Sequence, residues 1–323
     1  MADAPKSVKV AVIQAAPVLF DREATLDKAC RLAVEAQAKG ARLMLFPEAF
    51  VPAYPRGLGF GMVVGQRSEA GRRLWERYRD NAVDVPSAAT ERLGEAARAA
   101  QAYLAIGVIE RDEVSGGTLY CTLLYFGPSG QLLGTHRKLK PTGAERLIWG
   151  EGDGSTLAAV PTPFGTIGGL ICWENYMPLA RMAMYGKGVS LYLAPTADAR
   201  DSWQATIRHI ACEGRCFVLA SNQYVTRSMY PKDLEAAEEL AEQPEVMCRG
   251  GSAIVSPFGE VLAGPLFGEE GLLTAELDLG EIARSRLDFD VVGHYARPDV
   301  FQLRVNEHPA RSVAKTPETD SRS

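Results

Sequence analysis

A cysteine at the end of an apolar segment is the strongest chemical candidate in this sequence. Cys172 follows Gly168-Gly169-Leu170-Ile171 and precedes Trp173-Glu174-Asn175. A buried strand that stops at a sharp turn exposes the sulfur beside free backbone N–H groups, which lower the pKa of a thiol and stabilise an oxyanion. The pattern is compatible with a nucleophilic thiolate, although on position alone a buried structural cysteine is the more frequent case.

Two further segments place charged groups near the ends of predicted strands. Glu48 directly follows the apolar residues 43–46, and apolar surroundings raise the pKa of a carboxylic acid into a range suited to base catalysis. His136-Arg137-Lys138 ends another strand, and Glu145 lies in the loop that follows it. Each segment also has a structural explanation, since basic residues protect the edge of a sheet and a single acid can cap a neighbouring group.

A metal site is the weaker interpretation of the remaining candidates. His209, Cys212 and Cys216 lie three and four residues apart, which puts them on one face of a helix. Structural zinc sites usually draw ligand pairs from separate turns, and the sequence offers no evident fourth ligand. Core packing explains these residues better, so no metal is predicted.

The composition is that of a globular protein. The chain has 323 residues, of which 46% are hydrophobic and 23% charged, and its net charge of −5 offers no general attraction to nucleic acid or anionic membranes. No apolar run reaches the eighteen residues of a membrane span, and residues 1–6 show no secretory signal. Six cysteines are too few for a disulfide scaffold. We therefore expect a cytoplasmic protein with reduced thiols.

The apolar pattern predicts alternating strands and helices, which is typical of α/β layers. Two turns with proline and glycine, residues 128–130 and 257–259, predict hairpins, and residues 272–277 are expected to extend the sheet of the second hairpin. The mixture predicts a four-layer α-β-β-α sandwich. The other predicted strands are 8–15, 43–46, 103–109, 166–172, 189–194 and 217–221, and the predicted helices are 25–39, 87–101 and 202–216.

The pattern predicts one domain, residues 1–306, and a polar tail, residues 307–323, that is expected to be disordered. Two stretches look like insertions. Residues 57–84 are rich in glycine and arginine and become helical towards their end, whereas residues 229–246 are strongly acidic and contain a short exposed helix.

Taken together, these segments resemble the nitrilase superfamily of carbon–nitrogen hydrolases, and within it the true nitrilases. The superfamily uses a Glu-Lys-Cys triad. Phe46-Pro47-Glu48, Arg137-Lys138-Leu139 and Cys172-Trp173-Glu174-Asn175 match its three motifs in the family's order. Glu145-Arg146, Trp149-Gly150 and Gly293-His294-Tyr295 resemble true nitrilases rather than carbamoylases or aliphatic amidases. The resemblance covers residues 8–304 and implies the α-β-β-α sandwich.

The resemblance also implies a chemistry that needs no metal or organic cofactor. Cys172 would attack the nitrile carbon, Glu48 would act as the general base, and Lys138 would depress the thiol pKa and stabilise negative charge. Glu145 matches a fourth acid of the family, which would hold Lys138 or the substrate. A thioimidate and then a thioester would form, with release of ammonia and a carboxylic acid.

The substrate pocket is less well defined by the sequence. By analogy with other nucleophile turns, the backbone N–H of Trp173 is a candidate oxyanion donor. The predicted pocket walls are the indole of Trp173, the ring of Tyr54 and the loop 196–203. For Tyr54, a role as a core residue is an equal alternative.

The predicted partner is a small-molecule nitrile, and neither nucleic acid nor a membrane is expected. The resemblance implies a homodimer, with larger spirals built through the inserted stretches as a further option. An amidase or carbamoyl hydrolase on the same scaffold is the nearest alternative function. A non-catalytic binding protein and a metal-dependent hydrolase are the alternatives from other classes.

Overall fold

The computed structural model describes residues 5–310 and 313, and this part of the chain contains fifteen strands and seven α-helices. The strands are β1 (Ser7–Gln14), β2 (Leu43–Leu45), β3 (Met62–Val63), β4 (Gln66–Arg67), β5 (Tyr103–Arg111), β6 (Leu119–Phe126), β7 (Leu132–Arg137), β8 (Ala159–Thr162), β9 (Gly165–Gly169), β10 (Val189–Pro195), β11 (Phe217–Ser221), β12 (Tyr224–Thr226), β13 (Val246–Val255), β14 (Val261–Phe267) and β15 (Gly271–Asp278). The helices are α1 (Arg22–Ala38), α2 (Glu69–Asp80), α3 (Ala88–Ala100), α4 (Pro178–Gly186), α5 (Asp201–Gly214), α6 (Ala237–Ala241) and α7 (Gly280–Asp288).

The strands form two large sheets. The first has the order β15-β1-β2-β5-β6-β7, in which β1, β2 and β5 run parallel and the outer pairs run antiparallel. The second has the order β12-β13-β11-β10-β9-β8, with β14 paired to β13. In the second sheet β9, β10 and β11 are parallel. Parallel strands require crossover helices, which explains the alternation seen in the sequence.

Three separate apolar clusters show that the sheets and helices stack in four layers. Successive residues of β1 point to opposite faces, so Val10 and Val12 join the cluster between the two sheets, whereas Ala11 and Ile13 pack against α1 and α3. The third cluster lies between the second sheet and the helices α4 and α5. The predicted α-β-β-α sandwich is therefore confirmed.

The predicted helices 25–39, 87–101 and 202–216 correspond to α1, α3 and α5. Asp21 caps α1 by accepting the N–H of Ala24 at 2.9 Å, and Thr90 accepts the N–H of Ser87 at 2.8 Å at the start of α3. The sequence pattern did not show α4 and α7. Both are nine-residue helices, and two and a half turns give only a weak periodic signal.

One predicted strand lies in the other sheet. Residues 272–277 were expected to extend the sheet of the hairpin β13–β14, but β15 pairs antiparallel with β1 from Ser7↔Asp278 to Gln14↔Gly271. The prediction was wrong because neighbouring strands usually pair, and the local pattern contains no information about a chain that crosses to the opposite sheet. β15 thus joins the C-terminal part of the chain to the first strand.

The two inserted stretches contact each other. Arg77 of α2 forms a salt bridge with Asp233 at 3.3 Å, and the N–H of Gly59 donates to Glu239 of α6 at 2.5 Å. The predicted helices in these stretches are confirmed as α2 and α6.

Residues 307–310 of the tail have no helix or strand, and the N–H of Ala310 donates to Asp153 at 2.6 Å. Residues 307–323 were predicted to be disordered. Apart from residues 307–310 and 313, this segment lies outside the described part of the chain. No helix in the described part of the chain combines the length and apolar character needed to cross a lipid bilayer.

Candidate active site

Glu48 lies where the chain leaves the first sheet after β2. The N–H of Phe46 still donates to Ala105 of β5 at 2.9 Å, and two residues later the Glu48 side chain points into the interior with 0% exposure. The turn passes very close to β5, because a Cβ at position 107 would lie 2.4 Å from the carbonyl oxygen of Pro47. Gly107 is therefore required for this approach.

Cys172 lies at a sharp turn after β9 of the second sheet. Its φ angle is +52°, a left-handed value that L-residues rarely adopt, and a 3₁₀ turn follows over Cys172–Tyr176. The side chain of Asn175 holds this turn, since its Nδ2 donates to the carbonyl oxygens of Leu170 and Cys172, at 2.9 Å each. The strained residue is thus fixed by its neighbours, which is typical of functional turns.

The structure brings the lysine and both predicted acids together. Lys138, directly after β7, donates from its buried Nζ to Glu48 Oε1 at 2.6 Å and to Glu145 Oε2 at 2.7 Å. Glu145 also accepts the N–H of Thr142 at 2.7 Å and the hydroxyl of Tyr54 at 2.7 Å. One buried cation therefore bridges two carboxylates, and charge-assisted bonds of this kind are strong and directional.

The electrostatics of the cluster suit proton transfer at Glu48. Burial raises the pKa of Glu48, and the charge of Lys138 opposes this effect. Glu48 Oε2 has no hydrogen-bond partner among the described residues, so one carboxylate oxygen remains able to accept a proton. Burial is the largest single effect and lowers the pKa of Lys138, but the negative groups around the ammonium, Glu48 first and Glu145 among them, together outweigh it and hold the pKa well above the ordinary value. The lysine therefore stays charged.

The pKa of the Cys172 thiol differs from the sequence-based expectation. Burial, and then the negative charge of Glu48, raise its pKa well above the ordinary value, although Lys138 acts in the opposite direction. Lys138 lowers the thiol pKa as predicted, but the desolvation of a thiolate exceeds the benefit of one nearby cation, so the pKa of the free thiol lies above its ordinary value. Cys172 is a protonated thiol that must lose its proton as it reacts.

A cavity of about 530 Å³ opens above Cys172. Tyr54, Glu145 and Trp173 line it, so Tyr54 faces the cavity rather than serving only as a core residue. The indole N–H of Trp173 donates to Asp198 at 2.9 Å. The other lining residues are Arg56, Thr142, Ala197, Asp198, Ala199, Arg200, Val246, Met247 and Arg249. Of the predicted loop 196–203, residues 197–200 line the cavity. Trp203 is a core residue in the cluster between the second sheet and the helices α4 and α5.

Comparison with known proteins places this site in a family. The model of the carbon–nitrogen hydrolase family matches residues 9–287. An aliphatic nitrilase from Sinorhizobium fredii is 57% identical over 306 residues, which cover 94% of this chain and 97% of the relative. A bifunctional nitrilase/nitrile hydratase from Lupinus angustifolius is 52% identical and covers 96% of this chain and 89% of its own length.

The chain belongs to the nitrilase branch of the carbon–nitrogen hydrolases. Solved structures agree on the fold. An amidase from Nesterenkonia has a TM-score of 0.65 at 22% identity, covering 88% of this chain and 97% of its own. The NitFhit protein of C. elegans has a TM-score of 0.73 at 21% identity, covering 96% of this chain and 70% of its own. At these identities the likeness concerns the architecture alone.

Sequence reasoning missed two side chains close to Glu48 and Cys172, Cys121 and Arg56, and it predicted Thr196 only as part of the pocket wall 196–203. Thr196 donates its hydroxyl to Cys172 Sγ at 3.1 Å, and Cys121 Sγ lies 3.6 Å from Glu48 Oε1. Arg56 lines the cavity and donates to the carbonyl oxygen of Ala197. None belongs to a recognisable motif, since each reaches the site through pairing or packing between distant segments.

Within residues 5–310 and 313, no group of three or more histidine, cysteine, aspartate or glutamate side chains is arranged to hold a metal ion.

Proposed function

We propose that this nitrilase converts organic nitriles to the carboxylic acid and ammonia, with Cys172 as nucleophile, Glu48 as general base and Lys138 as the charge-stabilising group. The observation that carries the proposal is the contact of Lys138 with both carboxylates beside a buried thiol, at the floor of a cavity sized for a small molecule. Relatives that are named nitrilases, at 50–57% identity over nearly the whole chain, support the nitrile as substrate.

In the first half of the reaction the thiol adds to the nitrile. Glu48 takes the proton as the sulfur of Cys172 forms a bond to the nitrile carbon. One π bond opens onto the nitrogen, which receives that proton from Glu48 to give the thioimidate and leaves Glu48 ionised. Because the thiol pKa is raised, this proton must move during the attack rather than before it. The Lys138 ammonium stabilises the developing negative charge.

In the second half water removes the covalent group. A water activated by Glu48 adds to the thioimidate carbon, and ammonia leaves to give a thioester. A second water then releases the carboxylic acid and restores the thiol. The backbone N–H of Trp173, the residue after the nucleophile, supplies an oxyanion donor when each water adds. Glu145 holds the Lys138 ammonium throughout.

A panel of small nitriles and their matching amides tests the proposal. We expect ammonia and acid from at least one nitrile, in equal amounts, and slower release of ammonia from the matching amide. Accumulation of the amide from a nitrile would indicate that the enzyme also hydrates nitriles, which is the second activity in the name of the Lupinus relative. Turnover of amides alone would contradict the proposal and favour the amidase or carbamoyl hydrolase alternative.

Replacing Tyr54 with Phe should lower kcat about tenfold to 100-fold. The phenol donates to Glu145 at 2.7 Å, and a hydrogen bond to a charged group contributes about 1.5–3 kcal/mol. Without it, Glu145 binds Lys138 in a less defined position. Steady-state kinetics on the preferred nitrile, giving kcat and KM separately, provide the measurement.

Tyr125→Phe is the matched control for this substitution. Tyr125 is fully buried, and its hydroxyl has no hydrogen-bond partner among the described residues. Removing that hydroxyl should leave kcat unchanged and keep or raise the melting temperature. Equal kinetics for Tyr54→Phe and the control would exclude a role for the Tyr54 hydroxyl.

We further propose that residues 1–306 form a single hydrolase domain that assembles as a homodimer or a larger spiral in the cytoplasm. The shared core cluster between the sheets supports one domain. The contact between the two inserted stretches, through Arg77 and Asp233, supports a continuous surface for assembly. The assembly and the location stay predictions.

A further inference from the structure

Glu174, two residues after Cys172, is a buried carboxylate that the proposed chemistry leaves unused. Its side chain has 0% exposure. Oε1 accepts the N–H of Leu139 at 2.6 Å, and Oε2 accepts the N–H of Ile171 at 2.7 Å. Leu139 directly follows Lys138, and Ile171 directly precedes Cys172. One carboxylate therefore joins the backbone of the lysine segment to the backbone of the cysteine segment.

His136 is the side chain that pairs with this carboxylate. Its Nε2 lies 3.0 Å from Glu174 Oε2, and its Nδ1 lies 3.1 Å from the carbonyl oxygen of Thr156. A neutral imidazole has only one N–H, yet both ring nitrogens face an oxygen acceptor. Nε2 therefore shares a proton with Glu174 Oε2, while Nδ1 donates to the carbonyl oxygen of Thr156.

Three titratable groups close to Glu174 are uncharged. They are the hydroxyls of Tyr125 and Tyr192 and the thiol of Cys121, and burial raises the pKa of each above its ordinary value. Among the described residues, His136 is the ion-pair partner of Glu174. Removing either member would leave an uncompensated charge in the interior, which is costly.

The pair also bridges the two sheets. Lys138 follows β7 at the edge of the first sheet, whereas Cys172 follows β9 in the second. Apolar side chains fill the space between these sheets, and hydrogen bonds such as those from Ser221 to Ile13 and from Gly251 to Gln14 join them at β1 rather than at β7. The directional bonds of Glu174 are thus well placed to set the separation of the two reacting segments.

We propose that the His136–Glu174 ion pair is a positioning device that sets the geometry of the Lys138 ammonium relative to the Cys172 thiol. The inference rests on the proposed function, because it concerns the same site. Neither member of the pair lines the cavity, so they act through Lys138 and Cys172 and not on the substrate. The pair should therefore affect the covalent step and leave substrate binding nearly unchanged.

Glu174→Gln tests the proposal with almost no change in volume. The amide has one oxygen and one NH2 group, so it can accept from Leu139 or from Ile171, and its NH2 must face the other donor. We expect kcat for the nitrile to fall about 100-fold, as for a misplacement near 1 Å, with KM within about threefold of the wild-type value.

Alkylation of the thiol gives a readout that does not depend on nitrile turnover. Iodoacetamide forms a carbon–sulfur bond to Cys172 with loss of iodide, while Glu48 takes the thiol proton. We expect the rate at this residue, followed by peptide mass spectrometry, to fall about tenfold or more in Glu174→Gln. Asp84→Asn, which breaks the Arg111–Asp84 ion pair away from the site, is the control that should keep both rates.

A double-mutant cycle tests whether the two residues act as a unit. His136→Gln should lower kcat in the same way as Glu174→Gln, and the double variant should be no slower than the worse single variant, because a broken pair cannot be broken twice. Strictly additive losses in kcat would overturn the pair as the acting unit.

NMR of the wild-type protein tests the contact between His136 and Glu174 even where a variant fails to fold. With ¹⁵N-labelled histidine, the ring protons of His136 should exchange slowly with solvent, because both ring nitrogens face buried acceptors. Only four histidines are present, and the other three are exposed. The absence of any protected ring proton at the buried histidine would overturn the proposal.

The remaining outcomes separate this proposal from the proposed function. A wild-type protein that hydrolyses no nitrile, but in which Glu174→Gln slows alkylation of Cys172, would refute the substrate and support the positioning role. Unchanged kcat and alkylation in a folded Glu174→Gln would overturn the positioning role while nitrile hydrolysis stands. A raised KM at unchanged kcat would overturn it as well.

Discussion

Replacing Cys172 with Ala is expected to abolish nitrile hydrolysis, with a loss of about 10⁵-fold or more in kcat. Every covalent intermediate of the proposed reaction is bonded to this sulfur. No other cysteine can take its place, because Cys121, which lies 3.6 Å from Glu48, does not line the cavity. Ammonia release from the best nitrile of the panel, followed over hours at high enzyme concentration, measures the remaining activity.

The fold should survive this substitution. The thiol receives one hydrogen bond, from Thr196, and an alanine keeps the Cβ at the same backbone position. We expect the melting temperature to stay within about 4 °C of the wild-type value, which corresponds to less than about 1–2 kcal/mol for a chain of this size. Mass spectrometry of the wild-type protein, quenched in acid during turnover, should show the acyl group on the peptide that contains Cys172.

Cys216→Ala is the matched control, since Cys216 is also fully buried but packs in the cluster beneath the second sheet. Its removal should cost about 1 kcal/mol or more of stability and leave kcat unchanged. Hydrolysis by Cys172→Ala within tenfold of the wild-type rate would refute the nucleophile and, with it, the thioimidate mechanism.

Replacing Lys138 with Met should cause the second largest loss of activity, about 10³-fold in kcat. The substitution keeps most of the apolar stem and removes the ammonium that stabilises negative charge in the addition steps, and a single such donor contributes about 2.7–4 kcal/mol. It also separates Glu48 from Glu145, which the ammonium holds at 2.6 and 2.7 Å. A raised KM with normal kcat would contradict this role and indicate that Lys138 only binds substrate.

The same variant should be less stable, and more so at higher pH. Removing one partner of a buried ion pair costs about 3–5 kcal/mol, and here two carboxylates would face each other without a cation. The pKa of Glu48 is already raised in the wild-type protein, and losing Lys138 removes the charge that opposes this shift. A folded-state pKa above the unfolded value means that the folded protein binds more protons, so stability increases as the pH falls through that pKa.

Thermal unfolding at about pH 5 and about pH 8 measures this effect. The melting temperature of Lys138→Met should be lower than that of the wild type at both values, with the larger difference at the higher pH. Lys140→Met is the control, because Lys140 lies two residues further on and pairs with Glu151 on the surface. An exposed pair contributes at most about 1 kcal/mol, so the control should change neither kcat nor the pH dependence.

The sequence predicted the acids, the lysine and the cysteine that the structure brings together. Glu48, Lys138 and Cys172 each follow a strand, and the ends of apolar segments are visible in the residue pattern. The layered fold could be predicted for the same reason, because the alternation of buried and exposed residues depends on the local period of strands and helices. These features are encoded within about ten consecutive residues.

The tertiary structure decided the properties that depend on distant segments, which are the pairing of strands, the pKa of the thiol and the contacts of Glu174. β15 pairs with β1 instead of extending the hairpin, because a strand edge accepts any partner that the chain path brings to it. Desolvation of Cys172 raises a thiol pKa that was expected to be low, and burial is a sum over the whole fold. In the same way, the motif shows Glu174 beside the nucleophile, but only the folded chain places His136 and Leu139 against it. Residue types and local periodicity thus determine which groups are available, whereas their charge states and separations follow from contacts between segments far apart in the chain.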